Sequence, residues 1–188
     1  MALDAIFFDR DGVINKDYGY VSTEDRLDFI DGVFEFCASL PPNVKKFIVT
    51  NQAGIARGYY DSDQLKKLMK HIFNEFDKKN IVFSDWSYCP HHPQFTGFCE
   101  CRKPSPKMIQ KFLESHRIDP KNCALIGDNQ TDIEAGIAAG LKVNILLNGS
   151  EETVKKLTEN NIPYHAVSNY ADATLLLKNT LMSRFSKF

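Results

Sequence analysis

Short apolar runs recur along the chain at Ala5–Phe8, Lys46–Val49, Ile81–Tyr88, Cys123–Ile126 and Val143–Leu147. Runs of this length without strict alternation predict strands covered on both faces, as in a parallel sheet. Between them the apolar positions take on helical spacing. From Ser62 onward, Leu65, Leu68, Met69, Ile72, Phe73 and Phe76 share one face, with polar residues opposite. Further helices are predicted over Val33–Leu40, Pro106–His116, Thr131–Ala139, Glu151–Asn160 and Tyr170–Phe185. Strand and helix alternate throughout, which predicts an α/β fold, a doubly wound parallel sheet with helices on both faces. The one long irregular stretch is Pro90–Pro106, and loops of that length usually serve a function or are stapled by a metal. No repeat, low-complexity tract or linker divides residues 1–188, so one domain is expected.

The composition fits this picture. Hydrophobic residues make up 43% and charged residues 25% of 188, enough apolar material for a core. The net charge of −1 provides no global field for nucleic acid or an anionic membrane. No segment is apolar for long enough to span a bilayer, and the N-terminal residues lack the basic region of a signal peptide. A cytoplasmic protein, most simply a monomer with a small-molecule substrate, is expected.

In open parallel sheets, ligands bind beyond the carboxyl ends of the strands. Three predicted strands end in reactive or polar residues: Asp9-Arg10-Asp11-Gly12, Thr50-Asn51-Gln52 and Gly127-Asp128. Two carboxylates at i and i+2 past a strand end can turn toward one site, and Gly12 permits the sharp turn. With Asp128 they form an oxygen-rich set suited to Mg2+. One carboxylate can act as a nucleophile and its neighbour as general acid and base. Asp and Gly are also ordinary turn residues, so the pair alone does not decide the matter. Thr50 and Asn51 add a hydroxyl and an amide for phosphoryl oxygens, and Lys103 adds a point charge. Asp132 reads equally well as part of the site or as an acid at a helix start.

The cysteines form a second constellation. Cys89, His91, Cys99 and Cys101 lie in one loop with the spacing Cys-x-His-x7-Cys-x-Cys. Thiolates and an imidazole so clustered match a closed, structural, tetrahedral Zn2+ site, with His92 as a spare imidazole. Free thiols in a cysteine-rich loop are the alternative. Arg102-Lys103-Pro104 follows the last thiol directly, so a zinc clamp there would set where the two cations point.

These motifs occur in the order and α/β setting of the haloacid dehalogenase (HAD) superfamily of phosphotransferases, which the chain resembles over essentially its whole length. The resemblance implies Asp9 as nucleophile, Asp11 as acid/base that also offers its main-chain carbonyl to the metal, Thr50 and Lys103 as phosphoryl stabilisers, and Asp128 as Mg2+ ligand. More narrowly, Phe8–Asn15, Gly19-Tyr20-Val21, Thr50–Gly58, Cys89–Pro93 and Cys99-x-Cys-Arg-Lys-Pro104 resemble the D-glycero-D-manno-heptose-1,7-bisphosphate 7-phosphatases. The related histidinol-phosphate phosphatases share the nearly capless architecture, without a large cap domain, and the zinc-stapled loop. The resemblance implies substrate contacts at Asp9–Asp11, Asp17, Tyr18, Gly19, Tyr20, Thr50, Asn51, Gln52, Ala53, Arg102 and Lys103. Ala53 stands where many relatives carry Ser, and Asn129, a further candidate contact, where relatives often carry Lys or Arg.

The expected activity is therefore Mg2+-dependent hydrolysis of a sugar bisphosphate, with Zn2+ structural and Arg102 on the phosphate that is not cleaved. Histidinol-phosphate phosphatase or a generalist sugar phosphatase is the nearest alternative. A zinc module that binds a partner without catalysis is a more distant one.

Overall fold

The computed structural model describes residues 3–180. In chain order it contains β1 (Ala5–Phe8), α1 (Val33–Ser39), β2 (Lys45–Asn51), α2 (Ala53–Ala56), α3 (Ser62–Asp77), β3 (Asp85–Cys89), α4 (Pro93–Thr96), α5 (Lys107–His116), β4 (Cys123–Gly127), α6 (Gln130–Ala138), β5 (Val143–Leu147), α7 (Glu151–Glu159), β6 (His165–Val167) and α8 (Tyr170–Thr180). The six strands form one parallel sheet in the order β3-β2-β1-β4-β5-β6.

Neighbouring side chains of a strand feed opposite faces of the sheet. In β1, Ile6 and Phe8 pack with Phe36 of α1, Leu68 and Ile72 of α3, and Tyr170 of α8. Ala5 and Phe7 face the other way, onto Ile109 and Phe112 of α5, Ile133 of α6 and Leu157 of α7. Both faces are covered, so the strands read as continuous apolar runs. Local chemistry starts the helices. Asp61 accepts hydrogen bonds from the amides of Asp63 and Gln64 while its own amide donates to Gln64, a reciprocal cap that starts α3 where its amphipathic pattern begins.

Three details differ from the sequence reading. The run Ile81–Ser84 is not strand; β3 starts at Asp85, which pairs with Phe47. The short edge strand β6 was not foreseen, since His165 and Ala166 are exposed and carry no buried pattern. The 90–106 loop contains the one-turn helix α4. The predicted extension of the last helix to Phe185 lies partly outside the described residues, and up to Thr180 the helix is as expected.

The chain reverses direction across the sheet between β1 and β4, because β2 and β3 lie on one side of β1 and β4 to β6 on the other. A crevice forms at such a switch point, beyond the carboxyl ends of the strands. Asp9 follows β1, Thr50 and Asn51 end β2, Cys89 ends β3, and Asp128 follows β4.

Candidate active site

A cavity of about 480 Å³ opens at this crevice, with Asp9, Asp11, Arg102 and Lys103 in its wall. At its base lies a buried charge cluster. The Lys103 ammonium donates to Asp9 Oδ1 at 2.7 Å and contacts Asp132 Oδ1 at 2.6 Å, and its third bond goes to the Val49 carbonyl at 2.9 Å. All three donors of the ammonium are thus spent. Burial alone would lower the Lys103 pKa, but Asp132 and Asp9 outweigh it and hold the amine firmly protonated.

The main chain of Lys103 is held as tightly as its tip. Its amide donates to Asn51 Oδ1 at 3.0 Å, and its carbonyl accepts from Asn51 Nδ2 at 3.2 Å. The side chain of Asn51, expected to contact substrate, is therefore committed to seating Lys103.

Asp9, Asp128 and Asp132 converge, with carboxylate oxygens within 4.8 Å of one another. Burial pushes the Asp9 carboxyl well above the usual carboxylate range; the charges of Asp132 and Asp11 add to the shift and Lys103 opposes it. Asp128 is pushed up to about 8, by burial first and then by Asp9 and Asp132. Carboxylates crowded into a poorly solvated crevice are destabilised as anions, which a bound cation would relieve. The all-oxygen donor set suits a hard divalent ion. Both oxygens of Asp132 are already engaged, one by Lys103 and the other by the Asn129 amide at 3.1 Å, so Asp9 and Asp128 are the carboxylates left to hold it. Gly12, at φ +79°, runs directly against the Asp128 carboxylate, and any Cβ there would overlap it.

Asp11 lies outside that carboxylate group. Its oxygens accept from Arg10, Asn15 Nδ2 and Gln52 Nε2. Gln52 also donates to Thr50 Oγ1 at 2.8 Å and accepts from the Tyr60 hydroxyl at 2.6 Å. Gln52 is 2% exposed; it lines the cavity, as Asn51 does, with its amide already bonded to Asp11 and Thr50. Gly54 makes this possible, since a Cβ there would overlap the Tyr60 ring.

Asp17, Gly19, Tyr20 and Ala53 line the cavity, as expected from the sequence. Tyr18 does not; its hydroxyl donates to Asp28 on the exposed surface. Asn129 lies in the wall, with its amide nitrogen Nδ2 on Asp128 at 2.9 Å. The cavity also includes Tyr60, His92 and Thr131, which the sequence reading did not assign to the site, and Arg57, which that reading counted with Arg102 and Lys103 among the cations near it. Arg57 sits 4.7 Å over the Phe95 ring and 5.8 Å from the Tyr20 ring.

The cysteine loop begins where β3 ends. Sγ of Cys89 lies 2.9 Å from Cys101 and 3.5 Å from Cys99, and Cys99 and Cys101 are 3.7 Å apart. The thiols are free. Zinc–sulfur bonds of about 2.3 Å place tetrahedral sulfurs roughly 3.8 Å apart, so the trio fits such an ion after small adjustments. His91, the expected fourth ligand, does not bring a ring nitrogen into this group; its carbonyl accepts from Arg102 NH1 at 3.1 Å. His92 is spent otherwise, accepting from the Gln94 amide and facing Arg57 at 3.4 Å.

Comparison with known proteins agrees with this architecture. A family model described as HAD-hydrolase-like matches residues 100–173. The D-glycero-alpha-D-manno-heptose-1,7-bisphosphate 7-phosphatase of Campylobacter jejuni is 44% identical over 149 residues, covering 79% of this chain and 84% of that protein. The D-glycero-beta-D-manno-heptose-1,7-bisphosphate 7-phosphatase of Haemophilus influenzae is 39% identical over 148 residues, covering 76% and 80% respectively. Among solved structures, D,D-heptose 1,7-bisphosphate phosphatase from B. bronchiseptica, complexed with magnesium and phosphate, has a TM-score of 0.81 at 26% identity, over 95% of this chain and 99% of that one. With the carboxylates, the lysine and the sheet order all in place, and with similarity of this extent, the chain belongs to the D-glycero-D-manno-heptose-1,7-bisphosphate 7-phosphatase family of HAD phosphatases.

Proposed function

We propose that this protein hydrolyses the 7-phosphate of a D-glycero-D-manno-heptose 1,7-bisphosphate through an aspartyl-phosphate on Asp9. The observation that carries the reading is the Lys103 ammonium fixed between Asp9 and Asp132 at the base of the cavity beyond β1 and β4. It sets a fixed positive charge against the Asp9 carboxyl in the cavity wall, where a phosphoryl group on Asp9 would meet it.

The chemistry follows from the groups present. A carboxylate oxygen of Asp9 attacks phosphorus, and the bond to the C7 oxygen breaks. Asp11 gives its proton to the departing alkoxide. It then takes a proton from the water that attacks the aspartyl-phosphate, which releases inorganic phosphate and regenerates the Asp9 carboxylate. The charge of Lys103, with one of its present bonds exchanged for a phosphoryl oxygen, and the Thr50 hydroxyl stabilise the phosphoryl group as charge spreads over it. A Mg2+ held by Asp9, Asp128 and the main-chain carbonyl of Asp11 would neutralise charge at the phosphoryl group and keep Asp9 ionised.

Arg102 is assigned to the phosphate that stays on the sugar. It lies in the cavity wall next to Lys103, and its planar fork suits bidentate phosphate contact. Energy from a remote phosphate can orient the reacting one. A structural Zn2+ on Cys89, Cys99 and Cys101, with the His91 ring turned toward the sulfurs as fourth ligand, would hold the segment from which Arg102 and Lys103 project. The substrate is a small molecule, and among the described residues no helix is long and apolar enough to cross a membrane.

A phosphate-release panel tests the reading. It compares both anomers of the heptose bisphosphate, histidinol phosphate and 4-nitrophenyl phosphate. The expected result is the highest kcat/KM for one heptose bisphosphate anomer. Preference for histidinol phosphate would move the protein to the sister activity, and no release from any ester would remove the phosphatase reading.

A further inference from the structure

Asp11 is held by more donors than a carboxylate needs. Arg10 donates Nε to both oxygens at 3.1 Å and NH2 to both at 2.7 and 2.8 Å. Asn15 Nδ2 adds a bond to Oδ1 and Gln52 Nε2 a bond to Oδ2, each at 3.0 Å. These six N–H contacts from three side chains fix the plane of the carboxyl, and an oxygen that takes up the proton it is to transfer gives up one of them.

The arrangement is costly. Arg10 is fully buried, yet its NH1 has no partner, and Asn15 Oδ1 is likewise buried and unpaired. Buried polar atoms left unpaired destabilise a fold, and apolar residues of similar volume would often serve stability as well as a buried ion pair. Arg10 NH2 also donates to the Val21 carbonyl at 2.7 Å. Val21 is buried and ends the segment that carries Asp17, Gly19 and Tyr20 into the cavity wall. One guanidinium thus joins Asp11 to the loop against which substrate would rest.

We propose that Arg10 and Asn15 are positioning residues that hold the Asp11 carboxyl in register with the substrate loop, so that its proton meets the departing oxygen. The proposal rests on the reading of Asp11 as general acid. Neither residue touches substrate; both act through Asp11. The fork geometry is essential to this role, and a lysine would supply the charge without the fork.

Leaving-group dependence tests it. A sugar phosphate expels an alkoxide that must be protonated, whereas 4-nitrophenyl phosphate expels a phenolate that need not be. The value of kcat/KM covers the steps up to leaving-group departure. Arg10→Lys, Arg10→Gln and Asn15→Ala, in the full chain with saturating Mg2+, are compared with Asp11→Asn on both esters, with folding checked by circular dichroism. Misplacement of a catalytic group by about 1 Å can cost roughly a hundredfold, so kcat/KM for the sugar phosphate should fall about ten- to a hundredfold. The loss on the aryl ester should be smaller by about tenfold, as for Asp11→Asn, and adding Asp11→Asn to each variant should cause little further loss. Should the Arg10 variants not fold, Asn15→Ala uncovers no buried charge and must show the same pattern. Equal losses on the two esters in a folded variant, or losses that multiply with that of Asp11→Asn, overturn the proposal. If Asp11→Asn itself lacks leaving-group dependence, the acid role of Asp11 falls, and the proposal falls with it.

Discussion

Lys103 Nζ and Asp132 Oδ1 lie 2.6 Å apart, and each side chain is 2% exposed. Sequence alone left Asp132 between two roles, and it fills both: one oxygen caps α6 through the Asn129 amide, while the other holds the ammonium. Asp132→Asn preserves shape and removes charge. Lys103 keeps Asp9 as a partner, so the cost is smaller than for an abandoned buried charge, about 1–3 kcal/mol. Thermal melting should show that loss, and kcat/KM should fall at least tenfold as Lys103 shifts. Wild-type values for both would remove Asp132 from the site.

Asp9→Asn should keep the fold and abolish turnover, because an amide does not attack phosphorus. Asp11→Asn should also be slow, but retains the nucleophile and should accumulate phosphoenzyme. Intact-mass analysis of acid-quenched protein distinguishes the two. A phosphorylated Asp9→Asn protein would point to another nucleophile.

Stability of the Mg2+-free protein should fall with rising pH across the range from about 4 to 8. Burial and mutual crowding raise the folded-state pKa values of Asp9 and Asp128 above the ordinary aspartate value of 3.8, Asp128 to about 8. The folded state therefore binds more protons than the unfolded state within that window, and its advantage is present at low pH and lost as pH rises through the folded pKa. Mg2+ should then raise the melting temperature more at pH 8 than at pH 5. Asp128→Asn should flatten both trends, and a melting temperature that rises steadily with pH in Mg2+-free buffer would contradict the crowding of these carboxylates.

Purified protein should contain one tightly held Zn2+ that survives mild chelation, with Mg2+ addition restoring activity. Cys89→Ser and Cys101→Ser should lose the metal, lower the melting temperature and reduce activity on all esters, because Arg102 and Lys103 follow the last thiol. Elemental analysis of wild type and variants checks this. Full activity in protein without zinc would remove the clamp from the mechanism.

Arg102→Ala should impair a heptose bisphosphate roughly ten- to a hundredfold in kcat/KM, the scale of a lost charge-assisted hydrogen bond of about 1.5–3 kcal/mol. It should barely affect 4-nitrophenyl phosphate, which has no second phosphate. Lys103→Ala should impair both. Equal losses for Arg102→Ala would place that residue at the reacting phosphate.

Much of this protein was legible from sequence because the relevant signals are local. Apolar runs such as Ala5–Phe8 and Val143–Leu147 announce strands covered on two faces, and the helical spacing after Ser62 announces α3. Cys99 and Cys101 are two residues apart, so their convergence needed little folding, and Asp9 and Asp11 follow one strand end. Weak local signals were misread. Ile81–Ser84 is apolar enough for a strand but precedes the register that pairs Asp85 with Phe47, and β6 is too short and too exposed to carry a pattern.

The tertiary structure decided everything that depends on chain segments meeting. Lys103 reaches Asp9 across 94 positions only because β1 lies between β2 and β4, and Asn51 seats the Lys103 main chain across 52. That the Gln52 amide, in the cavity wall, meets Asp11 and Thr50, and that the Tyr18 hydroxyl meets Asp28, follows from the fold and not from residue type. Residue type limits what a side chain can do, and spacing limits its near neighbours. Which donor meets which acceptor is set by strand order and by the packing of loops around the crevice, and those arise from the burial of the whole core rather than from any one segment.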